Sequence, residues 1–369
     1  MWIYELQNWP NFFWDDTALI SKLVDMRHRQ GHLLGRMTGV GFELKREASL
    51  NNLTNDVIKS SAIEGEYLNS EEVRSSIARR LGIDIAGLIP ASRNVEGIVE
   101  MMLDATQNFS KPLTRNRLLG WHAALFQTGR SGMHLIAVGT WRSKNVDPMQ
   151  VVSGPVGREK IHFKAPDANR LDYEMNAFLK WFNKSSDVDP VIKAGIAHLW
   201  FMTIHPFEDG NGRIARAIGD MCLARADNIP DRFYSLSSQI EKERKFYYEQ
   251  LERQQRSTIE ITGWLIWFLN CLEGAISNAE QTLINVLFKA QLWQRINQNP
   301  VNGRQRQIIN RMLESDFVGH MNTRKYSLLA KCSADTALRD IQELKARGIF
   351  LQNECGGRST SYRLLESIE

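Results

Sequence analysis

Cysteine is scarce: the 369 residues carry four, Cys222, Cys271, Cys332 and Cys355, and no two of them form a C-x-x-C pair. That excludes a disulfide framework and a thiolate metal site, and it suits a reducing compartment. Long apolar runs are missing as well. The most apolar stretch, residues 264–269, is closed by Asn270, far short of a membrane span. The first residues, Met-Trp-Ile-Tyr-Glu-Leu, offer neither a basic segment nor an apolar core, so they do not read as a signal peptide, and the expected setting is cytoplasmic, with no membrane partner. Excess charge of either sign is lacking. A net +4 from 46 basic and 42 acidic residues cannot draw a polyelectrolyte by bulk attraction, so any nucleic-acid site must be local. Neither G-x-G-x-x-G nor G-x-x-x-x-G-K-[ST] occurs, which excludes Rossmann and Walker nucleotide loops.

What is present is mostly amphipathic helix, rich in Leu, Ala, Glu, Arg and Gln and broken briefly at Gly or Pro, so the fold class is mainly α. The exception is residues 139–166. There Pro148, Gly154, Pro155 and Gly157 interrupt short β-prone pieces at 150–152 and 161–163, the pattern of a hairpin laid over a helical body and a candidate substrate-contacting flap. Val152 and Phe163 are the side chains expected to clamp it. Trp2, Trp9 and Trp14 are read simply as indoles buried against the body, and residues 299–303 as a linker. Residues 303–369 change character: helix, helix-turn-helix, then two short strands around Gly356-Gly357, the order of a winged helix-turn-helix domain, with Leu338, Ile341 and Leu344 as the core face of its last helix. Eleven basic residues against eight acidic ones place nearly all the net charge here. Two partners suit such a module: DNA, contacted through Arg339, Lys345, Arg347 and Arg358, or another protein.

One segment concentrates chemistry: His205-Pro-Phe-Glu-Asp-Gly-Asn-Gly-Arg-Ile-Ala-Arg216. Gly210, Asn211 and Gly212 read as a tight turn that aims successive N–H groups inward, with a helix starting at about Arg213, which together make an anion nest at a helix N-terminus. Arg213 and Arg216, three apart on that helix, add forked donors. Asp209 is a carboxylate placed where a Mg²⁺ bridging phosphates needs an oxygen. His205 is the group able to take a proton near neutrality. Phosphate, metal, cation and base functions within twelve residues point to phosphate transfer. His122 and His198, set among Trp, Leu and Ala, read as packed core histidines, and no third ligand completes a zinc site with His198 and His205.

The twelve residues match H-x-F-x-[D/E]-G-N-G-R-x-x-R, and on them the chain resembles the Fic (filamentation induced by cAMP) family. Residues 113–126 resemble that family's first core helix, Gly139-Thr-Trp-Arg142 and the tract after it its flap, and Tyr247-Tyr248-Glu-Gln-Leu251 its nucleotide-side helix. The resemblance implies three parts: an N-terminal helical region at 1–94, a Fic-type helical core with a β-hairpin flap at 95–298 and the winged helix at 303–369. It also implies a protein adenylyltransferase that moves AMP from ATP to a Ser, Thr or Tyr hydroxyl of a target protein, or of itself, releasing pyrophosphate. His205 would be the base, Asp209 the Mg²⁺ ligand, Gly210, Asn211, Gly212, Arg213 and Arg216 the phosphate holders, Tyr248 and Val152 further nucleotide contacts, and Phe207 a structural anchor. Intact glycines in the loop favour AMP transfer over phosphorylation, and a homodimer is left open.

Upstream, Ser60-Ser-Ala-Ile-Glu64-Gly65 fits the family's [S/T]-x-x-x-E-[G/N] inhibitory pattern at the end of an expected helix over 44–63, with Ser60 and Glu64 on one face. The resemblance implies that Glu64 pairs with Arg216 and denies it to the γ phosphate. Two alternatives stand beside this reading: removal of AMP by the same site, with Glu64 orienting water, and a DNA-binding regulator whose nucleotide site only senses ATP.

Overall fold

The computed structural model describes residues 1–84, 87–143, 149–155, 158–185, 187–313, 317, 319–353 and 360–365. Pro148, Gly157, Cys355, the Gly356-Gly357 turn and Arg358 lie outside the described residues. The chain divides into two compact units, Met1–Glu280 and Gln281–Glu369. The division falls inside a helix, earlier than the linker read at 299–303.

The first unit runs α1 (Asp16–Gly39), α2 (Phe42–Ile63), α3 (Ser70–Leu81), α4 (Arg93–Gln107), α5 (Arg115–Leu125), the hairpin β1 (Arg130–Ser131) and β2 (His134–Leu135), the hairpin β3 (Gln150–Ser153) and β4 (Lys160–Lys164), then α6 (Leu171–Asn183), α7 (Pro190–Ile204), α8 (Asn211–Asp227), α9 (Leu236–Lys242), α10 (Arg244–Gln255) and the start of α11 (Thr262–Gln298). Its centre is α7. Asp189 caps the N-terminus by accepting from Val191 N, Pro190 sits in the first turn, and the helix is apolar on nearly every side, as a central helix must be. It packs against α8, which is buried from Asn211 to Ala224 although its sequence is rich in polar residues. Those polar groups are shut off from water, and both Asp220 oxygens lack a hydrogen-bond partner among the described residues, with Arg232 Nη2 at 3.5 Å from one of them.

Helix α2 packs chiefly on α9, touches α8, and is fastened at several points. Asn52 Nδ2 donates to Tyr234 O at 2.9 Å, and the buried Asp56 accepts from Ser237 N at 3.3 Å. Burial and the neighbouring Asp56 raise the pKa of the Asp220 carboxyl on α8. The N-terminal tryptophans do more than fill space: Trp2 packs edge-on against Phe163 of β4 at 5.2 Å, and Trp9 Nε1 donates to Glu174 at 2.9 Å. The tryptophan segment is thus a floor under the hairpin, which is where the sequence placed the flap.

In the second unit the rest of α11 leads to α12 (Gly303–Met312), α13 (Thr323–Ala330), α14 (Ala334–Ala346) and the antiparallel pair β5 (Phe350–Gln352) and β6 (Tyr362–Leu364). Lys331, left-handed at φ 49°, ends α13, and Ser333 caps α14. Ala337, Ile341 and Leu344 form the inner face of α14; Leu338, expected there, is exposed, because burial follows the i, i+4, i+7 stripe rather than spacings of three alone. Among the described residues no helix is long and apolar enough to cross a membrane.

Candidate active site

The site is built where α7 stops and α8 starts. His205 is the C-cap of α7 and adopts a left-handed conformation, φ 51°, uncommon for a side chain other than glycine or asparagine. The strain is held by neighbours: its own N–H donates to Phe201 O at 3.0 Å, its carbonyl accepts from Arg142 Nε at 2.9 Å, and Arg142 N donates to Pro206 O at 2.9 Å. Arg142, buried, braces the main chain on which the imidazole is mounted. The ring's Nδ1 lies 3.2 Å from Met202 O, so Nδ1 carries the hydrogen and Nε2 keeps its lone pair. Burial pushes the His205 pKa down to about 4, with the Arg142 charge acting the same way, so the ring is neutral at pH 7.

Between the two helices, Phe207 is fully buried and stacks on His122 at 4.2 Å and 5°. Asn211 closes the loop in both directions, donating to Phe207 O at 2.8 Å and accepting from Phe207 N at 3.0 Å. This clamp changes the expected local geometry. Gly210 alone takes positive φ, 81°, and α8 already begins at Asn211, so Asn211 and Gly212 are first-turn helix residues rather than a tight turn. Gly212 matters for a different reason: a Cβ there would collide with the Glu64 carboxylate and stand 3.2 Å from Arg216 Nη1. The absent side chain leaves the helix N-terminus open to an anionic group.

That anion is supplied by α2. Glu64 is the C-cap of α2, Gly65 follows at φ 86°, and the bonds Gly65 N to Ala62 O and Glu66 N to Ser61 O, both 3.0 Å, form a Schellman ending. The reversal presents two carboxylates to α8. Glu64 Oε1 lies 2.8 Å from Arg216 Nη2, and Glu66 Oε2 lies 2.6 Å from Arg213 Nη1. Both arginines are buried. Arg216 also donates to Ser60 Oγ at 2.9 Å and Ser60 O at 2.8 Å. Tyr248 on α10 reaches Glu64 Oε2 at 3.3 Å, and burial, reinforced by the Glu64 charge, pushes its phenol up to about 12.

Asp209 is partly exposed. Its carboxylate accepts from Gly210 N at 2.5 Å and from Ser131 Oγ, and lies 3.8 Å from Arg213 Nη2. A cavity of about 450 Å³ connects these groups: Glu64, Val152, His205, Asp209, Gly212 and Tyr248 line it, with Asn211 at its base. Gly210, Arg213, Arg216 and Ser60 are not in the lining and stand behind it. Both flap side chains line the cavity: Val152 is 47% exposed, while Phe163 is buried over Trp2 and Tyr4 with its ring 6.4 Å from that of His205. Sequence reasoning missed Glu66, Arg142 and Ser131. Glu66 carried a signal, a second acid one glycine beyond Glu64; Arg142 stood in the tract read as the flap with no sign of its bracing role, and Ser131 carried no signal.

The strained histidine that ends one helix, the clamped loop and the buried arginine pair on the next all fall within residues 112–223, which match a family model described as Fic/DOC family. Residues 112–223 are a Fic/DOC family domain. Residues 2–83 match a second model, described as a domain of unknown function, DUF4172. Over 200 residues the chain is 26% identical to the protein adenylyltransferase Fic of Drosophila melanogaster, covering 50% of this chain and 34% of that one. Over 227 residues it is 25% identical to the protein of the same name in Nematostella vectensis, covering 60% and 47%. The chain thus spans about a third to a half of the length of these relatives. Among solved structures, a Fic family protein from Desulfovibrio desulfuricans superposes with a TM-score of 0.51 at 19% identity, covering 94% of this chain and 97% of that one. A Fic domain containing signalling protein from Bacteroides thetaiotaomicron gives 0.51 at 19% identity, covering 69% and 94%. At that identity the likeness is one of fold.

Proposed function

We propose that this Fic domain transfers AMP from ATP to a Ser, Thr or Tyr hydroxyl of a protein, and that Glu64 holds it in check. The observation that carries the reading is a single cavity in which a neutral imidazole with a free Nε2 stands beside a helix N-terminus backed by two buried guanidinium groups. The N–H groups at the start of α8, with Arg213 and Arg216, hold the phosphates. The incoming hydroxyl oxygen bonds to the α phosphorus, its proton passes to His205 Nε2, and the bond to the bridging oxygen of the leaving pyrophosphate breaks. A buried neutral histidine is a weak base alone, and the phosphate charges brought beside it raise its basicity.

Mg²⁺ fits the same place. Among the described residues no group of three or more His, Cys, Asp or Glu is placed to hold a metal by itself. Asp209, partly exposed and lining the cavity, is the carboxylate that would hold the ion, which would neutralise phosphate charge.

The inhibitory reading follows from occupancy. Glu64 puts a carboxylate on the α8 N-terminus and on Arg216, and Glu66 engages Arg213, so the phosphate donors are already paired. A second reading, removal of AMP, is favoured by one contact: Glu64 Oε2 faces the cavity beside Tyr248, where it can orient a water. The second unit is proposed as a winged helix that docks DNA or protein. Labelled ATP tests the core proposal: the full chain should label itself or a lysate protein, and His205→Ala should reduce labelling of the lysate protein at least about 100-fold with ATP affinity retained. Lysate-protein labelling by His205→Ala above about a tenth of the wild-type level would remove His205 as the base.

A further inference from the structure

Three side chains that line the cavity have no part in the mechanism above. Ser153 Oγ, at the end of β3, lies 2.6 Å from His162 Nε2 on β4, and His162 Nδ1 lies 2.6 Å from Glu252 Oε2 on α10. Hydroxyl, imidazole and carboxylate therefore form an unbroken chain across three elements. The carboxylate accepts the Nδ1 hydrogen, which leaves Nε2 as the acceptor for the hydroxyl hydrogen, the tautomer that makes an imidazole a base toward serine. Glu252 is suited to the role: burial would raise its carboxyl, but the hydrogen bond from His162 and the nearby Lys160 and Arg256 charges hold its pKa below the usual value.

The hairpin geometry produces the alignment. Val151 pairs with Phe163 and Val152 with Ile161, so His162 is the extra residue of a β-bulge, the device by which strands beside active sites re-aim a side chain. Lys160 Nζ and Arg256 Nε lie 3.9 and 3.3 Å from Glu252 and complete its polar surroundings. Ser153 is exposed, and all three members of the chain line the cavity that His205 lines.

The geometry points to Ser153 as an acceptor of the AMP group on this chain itself, with His162 as its base and Glu252 as the carboxylate that orients the base. The inference rests on the adenylyl-transfer reading of the cavity. In the step, Ser153 Oγ bonds to the α phosphorus of ATP, its proton moves to His162 Nε2, the resulting imidazolium is held by Glu252, and the bond to the bridging oxygen breaks with its electrons leaving on pyrophosphate. The product is a phosphodiester on the flap, on the wall of the cavity that a target hydroxyl has to enter. Modification at Ser153 would then limit further transfer by the same molecule.

The competing role is a strut, in which His162 only ties the hairpin to α10 and Ser153 stays unmodified. The full-length Glu64→Gly protein, incubated with ATP and Mg²⁺, digested and mapped by mass spectrometry, separates the two. AMP on Ser153 is expected, and adding His162→Gln should lower Ser153 occupancy by about 100-fold, with Glu252→Gln giving a smaller fall in the same direction. AMP on other residues of this chain or on lysate proteins, with Ser153 unmodified, overturns the inference and leaves adenylyl transfer standing. AMP on no protein at all overturns both. Equal Ser153 occupancy with and without His162→Gln and Glu252→Gln overturns the base assignment.

Discussion

Replacing Glu64 with glycine tests the inhibitory reading most directly. The Glu64 to Arg216 contact is a charge-assisted hydrogen bond at 2.8 Å with the arginine 1% and the glutamate 28% exposed, so it is shielded but not sealed from water. Such a bond contributes about 1.5–3 kcal/mol. A bound phosphate must displace it, so its loss should increase AMP transfer by about 10- to 100-fold at one tenfold step per 1.4 kcal/mol. Steric release adds to this, since the carboxylate fills the space above Gly212. The backbone tolerates the change: Glu64 is a helix C-cap at φ −88°, and the positive φ is at Gly65. Without nucleotide the variant should melt lower, because Arg216 keeps Ser60 but loses its counter-charge in a buried site. Saturating ATP should restore stability more than it does in the wild type, since the phosphates now supply the missing anion. The assay is self-labelling from labelled ATP for the wild type, Glu64→Gly, Arg216→Ala and the double variant, with thermal melts in parallel. The double variant should be inactive, because releasing an inhibitor cannot rescue a site without its clamp. A Glu64→Gly protein that binds ATP and labels no faster than wild type would refute intramolecular inhibition, and loss of AMP removal from a pre-labelled target in that variant would assign Glu64 to the reverse reaction.

Glu66→Ala frees Arg213 in the same way, but Glu66 is 39% exposed, so the gain should be at most about fivefold, multiplying that of Glu64→Gly; no gain in either background would leave Glu66 outside the inhibitory contact. Because burial holds His205 neutral down to about pH 4, kcat/KM for AMP transfer should be flat from pH 8 to about 5.5 and decline only near pH 4, and an acid limb centred near 6.5 would place the ring in water instead. If the second unit contacts DNA, the full chain should bind duplex with a steep salt dependence that Arg339→Ala and Lys345→Ala weaken, and salt-insensitive or absent binding would leave protein docking as its role.

The parts of this molecule that were legible in the sequence are those whose geometry is local. The step from α7 to α8 is specified within twelve residues: the helix stop, the Phe207 anchor and the arginine spacing all act over one or two turns, so the pattern carries much of its own structure. The flap hairpin was visible because short β-prone pieces stood out from helix on both sides, and α13 and α14 because a polar turn separates two apolar stripes. Its errors were local too: Gly212 was given a turn role because glycine usually signals positive φ, whereas here it makes room for a neighbour's carboxylate.

What stayed hidden depends on elements brought together from far apart in the chain. Arg142 supports His205 across 63 positions, and the Ser153, His162 and Glu252 chain joins a bulged strand to a helix 90 positions away. Neither leaves a trace at any fixed spacing. Glu64 is the instructive middle case. Its short motif acquires meaning only because Asn52 and Asp56 fasten α2 to Tyr234 and Ser237, at and just before α9, and because Gly65 turns the chain back at the end of that helix. The same turn carries Glu66 to Arg213, so one left-handed glycine positions both carboxylates. A residue with a Cβ at 65 would strain this ending and misplace two ion pairs at once, and the inhibitory contact is better regarded as a property of the α2 terminus than of Glu64 alone.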